Sequence, residues 1–460
     1  MAMKIKSTHI VKPAEQTWNG TLPLSELDQI AIITLSSHLY FYDKPTQEDW
    51  LNPQNNKILN TLKHSLSQVL VPFYPLAGRL SWIPGGRLKL ECNAMGAELI
   101  EVESTMKITD FGDFYSSSEN FQHLLPRIEY YEKPIQDLPV LAVQVTRFAC
   151  GGLSVGISMS HVVVDGKSAF HFTEEWARLA RGEPLEFVPF LDRRVLQAED
   201  HVSGSRMTEN IAAENMDFFS QLRYFGEVDN LEWGKQVTPT FVYLTKDKIE
   251  RLKEVANITK ELMNDNGVRP YSRFEVITAH IWRCVTKARE LKDEDITTLI
   301  ACVDARGRME PPLPPRYFGN AIIDIEISSC VRELISKPLR YACSKIREAT
   351  TKVNKEYVLE TIEFYKNQKS VSKYQYIDDR GKIRGPSYGD QNVLVMSWLN
   401  LMGRSIDFGW GKEIHMGPPI VYAGDGDFMI TPYKDDGSVV VGVSLQPKQK
   451  FQEYMSYPIE

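Results

Sequence analysis

Apolar positions recur along the chain with two periods, near 3.6 and near 2, and segments of the two kinds alternate from end to end. Ile58, Leu62, Leu66 and Val69 share one helical face, and Pro72 and Pro75 end the helix they predict. A period of two marks Leu141, Val143 and Val145, and again Leu153, Val155, Ile157 and Met159. Gly151-Gly152 between the two runs predicts a hairpin over 141–160. Ala169, Phe172, Trp176 and Leu179 then form a helical stripe that stops at Gly182.

From Glu183 to about Glu232 neither period is sustained, and Pro184, Pro189 and the polar run 197–206 interrupt it. A crossover of that length inside a compact protein is unusual enough to need a structural reason. Periodicity returns with a strand at Phe241–Leu244 and a helix through Ile249, Leu252 and Val255. Ser272-Arg-Phe-Glu275 is a capping box opening a longer helix through Ile277, Ile281 and Cys284. Ile323, Ile325 and Ile327 alternate with acids as a half-buried strand, and Leu339, Ala342, Ile346, Ala349 and Val353 mark another helix. The class is α/β. A chain of 460 residues exceeds one core of ordinary size. Two domains are expected, over 1–182 and 233–460, with 183–232 as the crossover between them.

Composition narrows the function classes. Hydrophobic residues at 43% and charged residues at 25% are ordinary for a globular protein, and the net charge is −7. Acids and bases are interleaved without a basic tract, which argues against nucleic acid or anionic membrane as partner. The sequence shows no apolar run of bilayer-spanning length and no secretory start, so a cytoplasmic protein is expected. Six scattered cysteines lack Cys-x-x-Cys spacing and read as reduced, mostly core residues, not as a disulfide or zinc framework.

The candidate chemistry begins at Ser160-His161-Val-Val-Val-Asp165-Gly166, at the junction of a predicted strand and helix. A histidine exposed there can take a proton from an attacking nucleophile. Asp165, at the helix entrance, either caps the helix or fixes the loop by an ion pair. A second motif, Asp407-Phe-Gly409-Trp-Gly411, implies an unusual backbone path and reads as architectural, since nothing beside it supplies a base or nucleophile. Gly152-Leu-Ser154-Val-Gly156 has the spacing of a nucleophile elbow, but Ser154 sits inside an alternating strand. Gly166-Lys167-Ser168 lacks the first glycine of a phosphate loop, and no metal site is readable.

The His161–Gly166 and Asp407–Gly411 motifs, in this order and one in each half, resemble the BAHD acyltransferases of plants over nearly the whole chain. Tyr74-Pro-Leu-Ala-Gly-Arg79, Val303-Asp-Ala-Arg306, Tyr317-Phe-Gly-Asn320 and Ser397-Trp398 support the resemblance. It implies two similarly folded mixed-sheet domains joined by a long crossover loop, with an active-site channel between them. It implies a monomer with no bound cofactor and with acyl-CoA as co-substrate. His161 matches the general base and Asp165 a residue paired with an arginine, here Arg306, that holds His161 in place. Trp398 matches an indole that helps bind the oxyanion, and Ser272 is either a plain N-cap or a coenzyme A contact. Asp407, Gly409 and Gly411 match a structural motif away from the chemistry.

Within the family the chain is most similar to spermidine hydroxycinnamoyl transferases, on Leu39–Pro45, Gly182–Glu186, Arg308–Leu313 and Tyr365–Gln368. Similar shikimate and quinate transferases tend to have arginine after Tyr-Phe-Tyr, where Asp43 stands, and hydroxyl acceptors often go with threonine where Met396 stands. The expected activity is hydroxycinnamoyl transfer from CoA to a polyamine amine, with Tyr40 and Asp43 on the acceptor side. Asp378 and Asp379 are further candidates, or a solvated loop. Arg384, upstream of Trp398, fits a carboxylate acceptor instead and keeps shikimate or quinate open. A third reading, from another class, is an acyl-CoA thioester hydrolase in which His161 activates water.

Overall fold

A computed structural model describes residues 3–33, 35–51, 56–112, 114, 121–128, 133–196, 226–227, 237, 239–257, 269–375, 384–385, 391–401, 405–418, 425–433, 436–446 and 448–456. Two six-stranded mixed sheets organise them, and neither closes into a barrel. In the first, the predicted hairpin appears as Leu141–Phe148 antiparallel to Leu153–Ser160, with Gly151 in the left-handed region at φ 84° where glycine is favoured. Leu153–Ser160 also pairs with Leu35–Tyr42, so the strand ending beside His161 is an interior one. Its residues are buried on both faces, which explains the weak polar alternation in that run.

The second sheet is built from the later half of the chain, with Val393–Ser397 parallel to both Ile296–Asp304 and Asp427–Tyr433. The predicted helices form at Lys57–Val69, Gly166–Ala180, Lys246–Asn257, Arg273–Ala288 and Leu339–Lys352. Each lays an apolar face on a core. Among the described residues no helix is long and apolar enough to cross a membrane. Of the six cysteines, Cys92, Cys284 and Cys343 are buried, fewer than expected, and Cys150 is exposed.

The two halves are not separate along the sequence. His415–Gly417, from the later half, adds a strand to the first sheet beside Leu35–Tyr42. Ile406, Phe408 and Trp410 sit in the core of the first half. The Asp407–Gly411 motif therefore staples the later half onto the earlier one. Asp407 Oδ1 accepts from the N–H groups of Gly409 and Gly411 at 2.7 and 3.0 Å, which turns the backbone sharply. Trp410 then packs edge-on to Tyr42 and Trp50, with ring centroids 5.8 and 5.6 Å apart. The described start of the crossover is tied down too, since Glu175 accepts from the N–H groups of Glu186 and Phe187 at 2.8 and 3.0 Å.

Gly409 has φ 110° and Gly411 φ 122°, a region closed to side chains at modest cost. Gly409→Ala is predicted to destabilise the fold by about 1–3 kcal/mol through backbone strain alone. Urea unfolding measures the loss. A fall in turnover per folded molecule that exceeds the fall in stability would contradict a purely architectural role for the motif.

Candidate active site

His161 stands one residue past the Leu153–Ser160 strand and before the Gly166–Ala180 helix. The three residues after it, Val162, Val163 and Val164, are fully buried. Their burial pulls the connecting loop into the core and leaves His161 half-buried at the mouth of the sheet. Its Nδ1 is enclosed and has no hydrogen-bond partner among the described residues.

Asp165 serves in both of the capacities open to it in the sequence. Its Oδ1 caps the helix by accepting from the Ser168 N–H at 3.0 Å, and it also accepts from Arg306 Nη2 at 2.9 Å. Its Oδ2 accepts from Arg306 Nη1 at 2.7 Å and from the Ala321 N–H at 3.1 Å. Burial alone would raise the pKa of this carboxyl. The Arg306 charge and the hydrogen bonds outweigh burial and hold it below the ordinary carboxylate value. His161 is not among the four donors, so Asp165 fixes the loop and relays no charge.

Trp398 closes the Val393–Ser397 strand and is almost buried. Against Trp398, and near enough to His161 to feel its charge, lies a residue that the sequence does not announce. His38, in the Leu35–Tyr42 strand, is fully buried with both ring nitrogens unpartnered among the described residues. Its ring stacks on Phe170 at 4.6 Å and meets Trp398 edge-on at 5.1 Å. Burial first, and the neighbouring His161 second, push its pKa down to about 3, so it is neutral at physiological pH. The only sequence signal was a histidine leading into the apolar run Leu39–Tyr42. Phe170, Trp398 and Met429 form one apolar cluster, against which Met396, Leu401 and Met416 pack.

Tyr40 and Asp43, expected on the acceptor side, lie along and past the strand that leads away from the His161 end. The register sets Leu35 opposite Ser160 and Tyr42 opposite Leu153. Asp43 therefore lies past the far end of that strand, about 25 Å from His161 at roughly 3.3 Å per residue. It is exposed there. Tyr40, opposite Val155, is fully buried with its hydroxyl toward Thr173, deep in the fold and not at the mouth. Arg384 pairs through its backbone with Glu227 of the crossover. Asp378 and Asp379 lie outside the described residues. Ser272 is engaged in the predicted capping box, its Oγ accepting from the Glu275 N–H at 3.3 Å. Ser154 is buried in its strand, and Lys167 pairs with Asp304 at 3.2 Å, so neither decoy motif forms a site. Among the described residues no cluster of three or more His, Cys, Asp or Glu is placed to hold a metal ion.

Arg306→Met leaves Asp165 buried without its cation and is predicted to cost about 3–5 kcal/mol at neutral pH. In the native protein the Asp165 contribution is fully present above the unfolded-state pKa of about 3.9 and is lost as pH falls through the lower folded value. Without Arg306, burial raises the folded pKa instead. The deficit of the variant should therefore be widest near pH 7 and shrink on acidification, as read by urea unfolding across pH. A deficit independent of pH would contradict the ion pair.

Comparison with known proteins finds relatives over nearly the whole chain. A family model described as "Transferase family" matches residues 1–457. The chain is 40% identical over 445 residues to a hydroxycinnamoyl-CoA:piscidic acid hydroxycinnamoyltransferase of Actaea racemosa, covering 96% of each. It is 33% identical over 456 residues to a shikimate O-hydroxycinnamoyltransferase of Nicotiana tabacum, covering 97% of each. The crystal structure of vinorine synthase has the same fold, with a TM-score of 0.70 at 20% identity, over 98% of this chain and 96% of that one. The chain belongs to the BAHD transferase family and is an acyltransferase that draws on acyl-CoA.

Proposed function

We propose that the chain transfers a hydroxycinnamoyl group from its CoA thioester to a primary amine of an aliphatic polyamine such as spermidine. The observation that carries the acyl-transfer chemistry is His161, half-buried at the mouth of an interior strand on a loop anchored by Asp165 and Arg306. The neutral amine attacks the thioester carbonyl carbon while His161 takes the N–H proton. The Trp398 indole is a donor suited to the developing negative charge of the resulting tetrahedral oxyanion. Collapse breaks the C–S bond, and the CoA thiolate recovers the proton from the imidazolium. The products are an amide and free CoA, with no acyl-enzyme intermediate.

Support for the polyamine comes from the sequence segments shared with spermidine transferases and from the wall beside Trp398. Met396, Met416 and Met429 present soft, apolar, adaptable surface that suits a methylene chain better than a ring of hydroxyls. A second reading, an O-acyltransferase using a hydroxy acid such as shikimate or quinate, is favoured by the acid acceptors named for the two relatives. With Asp43 at the far end of its strand, the electrostatic part of the polyamine argument falls to Asp378 and Asp379, which lie outside the described residues.

Acceptor competition separates the two. Purified enzyme with p-coumaroyl-CoA and equal spermidine, shikimate and quinate should give a dominant acyl-spermidine amide by mass. A dominant ester would contradict the amine reading, and thiol release that is equally fast without acceptor would make the protein a thioesterase. The amine reading carries a pH signature as well. An aliphatic amine of pKa about 10.4 gains nucleophilic fraction roughly tenfold per pH unit below that value. Transfer limited by chemistry should rise between about pH 7 and 9, and a flat profile would count against an amine.

A further inference from the structure

The Tyr317-Phe-Gly-Asn320 segment takes no part in the chemistry above, yet its polar atoms converge on the catalytic loop from the other half of the protein. Asn320 is 2% exposed. Its Nδ2 donates to the His161 carbonyl at 2.8 Å and to the Val162 carbonyl at 3.3 Å. The same amide is held in turn, because Asp28 Oδ1 accepts from Asn320 Nδ2 and from the Asn320 backbone N–H, both at 2.9 Å. Asp28 Oδ2 accepts from the Ser25 N–H and Oγ at 2.8 and 2.9 Å. Arg193 Nε lies 2.8 Å from that oxygen as an ion pair, off the line of its N–H bond, and both side chains are fully buried. Arg193 Nη2 donates onward to the Val163 carbonyl at 2.8 Å.

Three successive carbonyls, at 161, 162 and 163, thus each accept from a buried side chain that lies outside the loop. The residues flanking Asn320 extend the grip. The Ala321 N–H donates to Asp165 Oδ2, and the Gly319 carbonyl accepts from Ser168 Oγ and Arg306 Nη2, both at 3.0 Å. A loop leaving a strand has lost its ladder partners, and buried carbonyls without donors cost about 1–3 kcal/mol each. Asn320 meets that need at the one residue whose side chain reacts.

We propose that Asn320, oriented by the buried Asp28–Arg193 pair, is a positioning residue for His161, setting the backbone from which the imidazole reaches the substrates. Asp28 comes from the first half, Arg193 from the crossover and Asn320 from the later half, so the seating of the halves on each other fixes the height of the catalytic base. The inference rests on the reading of His161 as general base.

The test is Asn320→Ala in the full chain, assayed with the acyl-CoA and acceptor that wild type uses. Misplacing a base by about 1 Å costs on the order of a hundredfold in rate. A fall in kcat of about 10- to 100-fold per folded molecule is expected, with a much smaller change in KM for the acyl-CoA. Combined with His161→Ala, the substitution should add no further loss, because its effect passes through the imidazole. Losses that multiply in the double variant, or a kcat in folded Asn320→Ala equal to wild type while His161→Ala is inactive, would overturn the positioning role alone. An active His161→Ala would instead overturn the reading beneath it. If Asn320→Ala does not accumulate folded, Asn320→Ser, whose hydroxyl is too short to bridge Asp28 and the loop, is read by the same criteria.

Discussion

The contact on which the rest depends is the buried ion pair between Asp165 and Arg306. Bringing a carboxylate and a guanidinium out of water costs several kcal/mol per ion, and only near-complete satisfaction offsets that cost. Here it is met on both sides. Asp165 takes four donors, two of them from Arg306 in fork geometry. Arg306 adds the Gly319 carbonyl, the Ser168 hydroxyl and Asp304. Burial acts against the Arg306 cation, and Asp165 outweighs it, raising its pKa. Because the partners lie 141 residues apart, the pair forms only when both halves are in place. The catalytic loop is thereby coupled to assembly of the whole fold, which gives a structural reason for keeping a polar pair where a hydrophobic contact would also be stable.

That coupling frees His161 for chemistry. The loop is held through Asp165, through the buried valines and through its own carbonyls, so the imidazole makes no structural bond through Nδ1 among the described residues. A base engaged in holding its own loop would lose order each time it accepted a proton. Structural and chemical tasks are divided here between neighbouring residues of one short motif. The neutral His38 and the apolar cluster around Trp398 are groups that would not compete with His161 for a proton.

Much of this was legible in the sequence, and the parts that were not share a cause. The helices at 57–69, 166–180 and 273–288 and the 141–160 hairpin follow from period and caps, because local patterning decides them. The Ser272–Glu275 capping box was readable from four letters. Long-range placement was not. Asp43 looked adjacent to the acceptor because it follows Tyr-Phe-Tyr, but a strand carries its next residue away from one end as surely as toward the other. The exchange of His415–Gly417 into the first sheet is a non-local pairing of three residues, too short to leave a period. Asn320 and Asp28 act across 292 residues, and their only trace was the Tyr317–Asn320 segment, distinctive but without a local role.

The central claim is that His161 takes the proton of the acceptor in a direct transfer. Single-turnover transfer by His161→Gln, which keeps a polar side chain of similar size but supplies no base, tests it most directly when acyl-CoA affinity is measured alongside. The account predicts unchanged acyl-CoA binding and a transfer rate lower by about 10²- to 10⁴-fold. Transfer at close to the wild-type rate by this variant would contradict it.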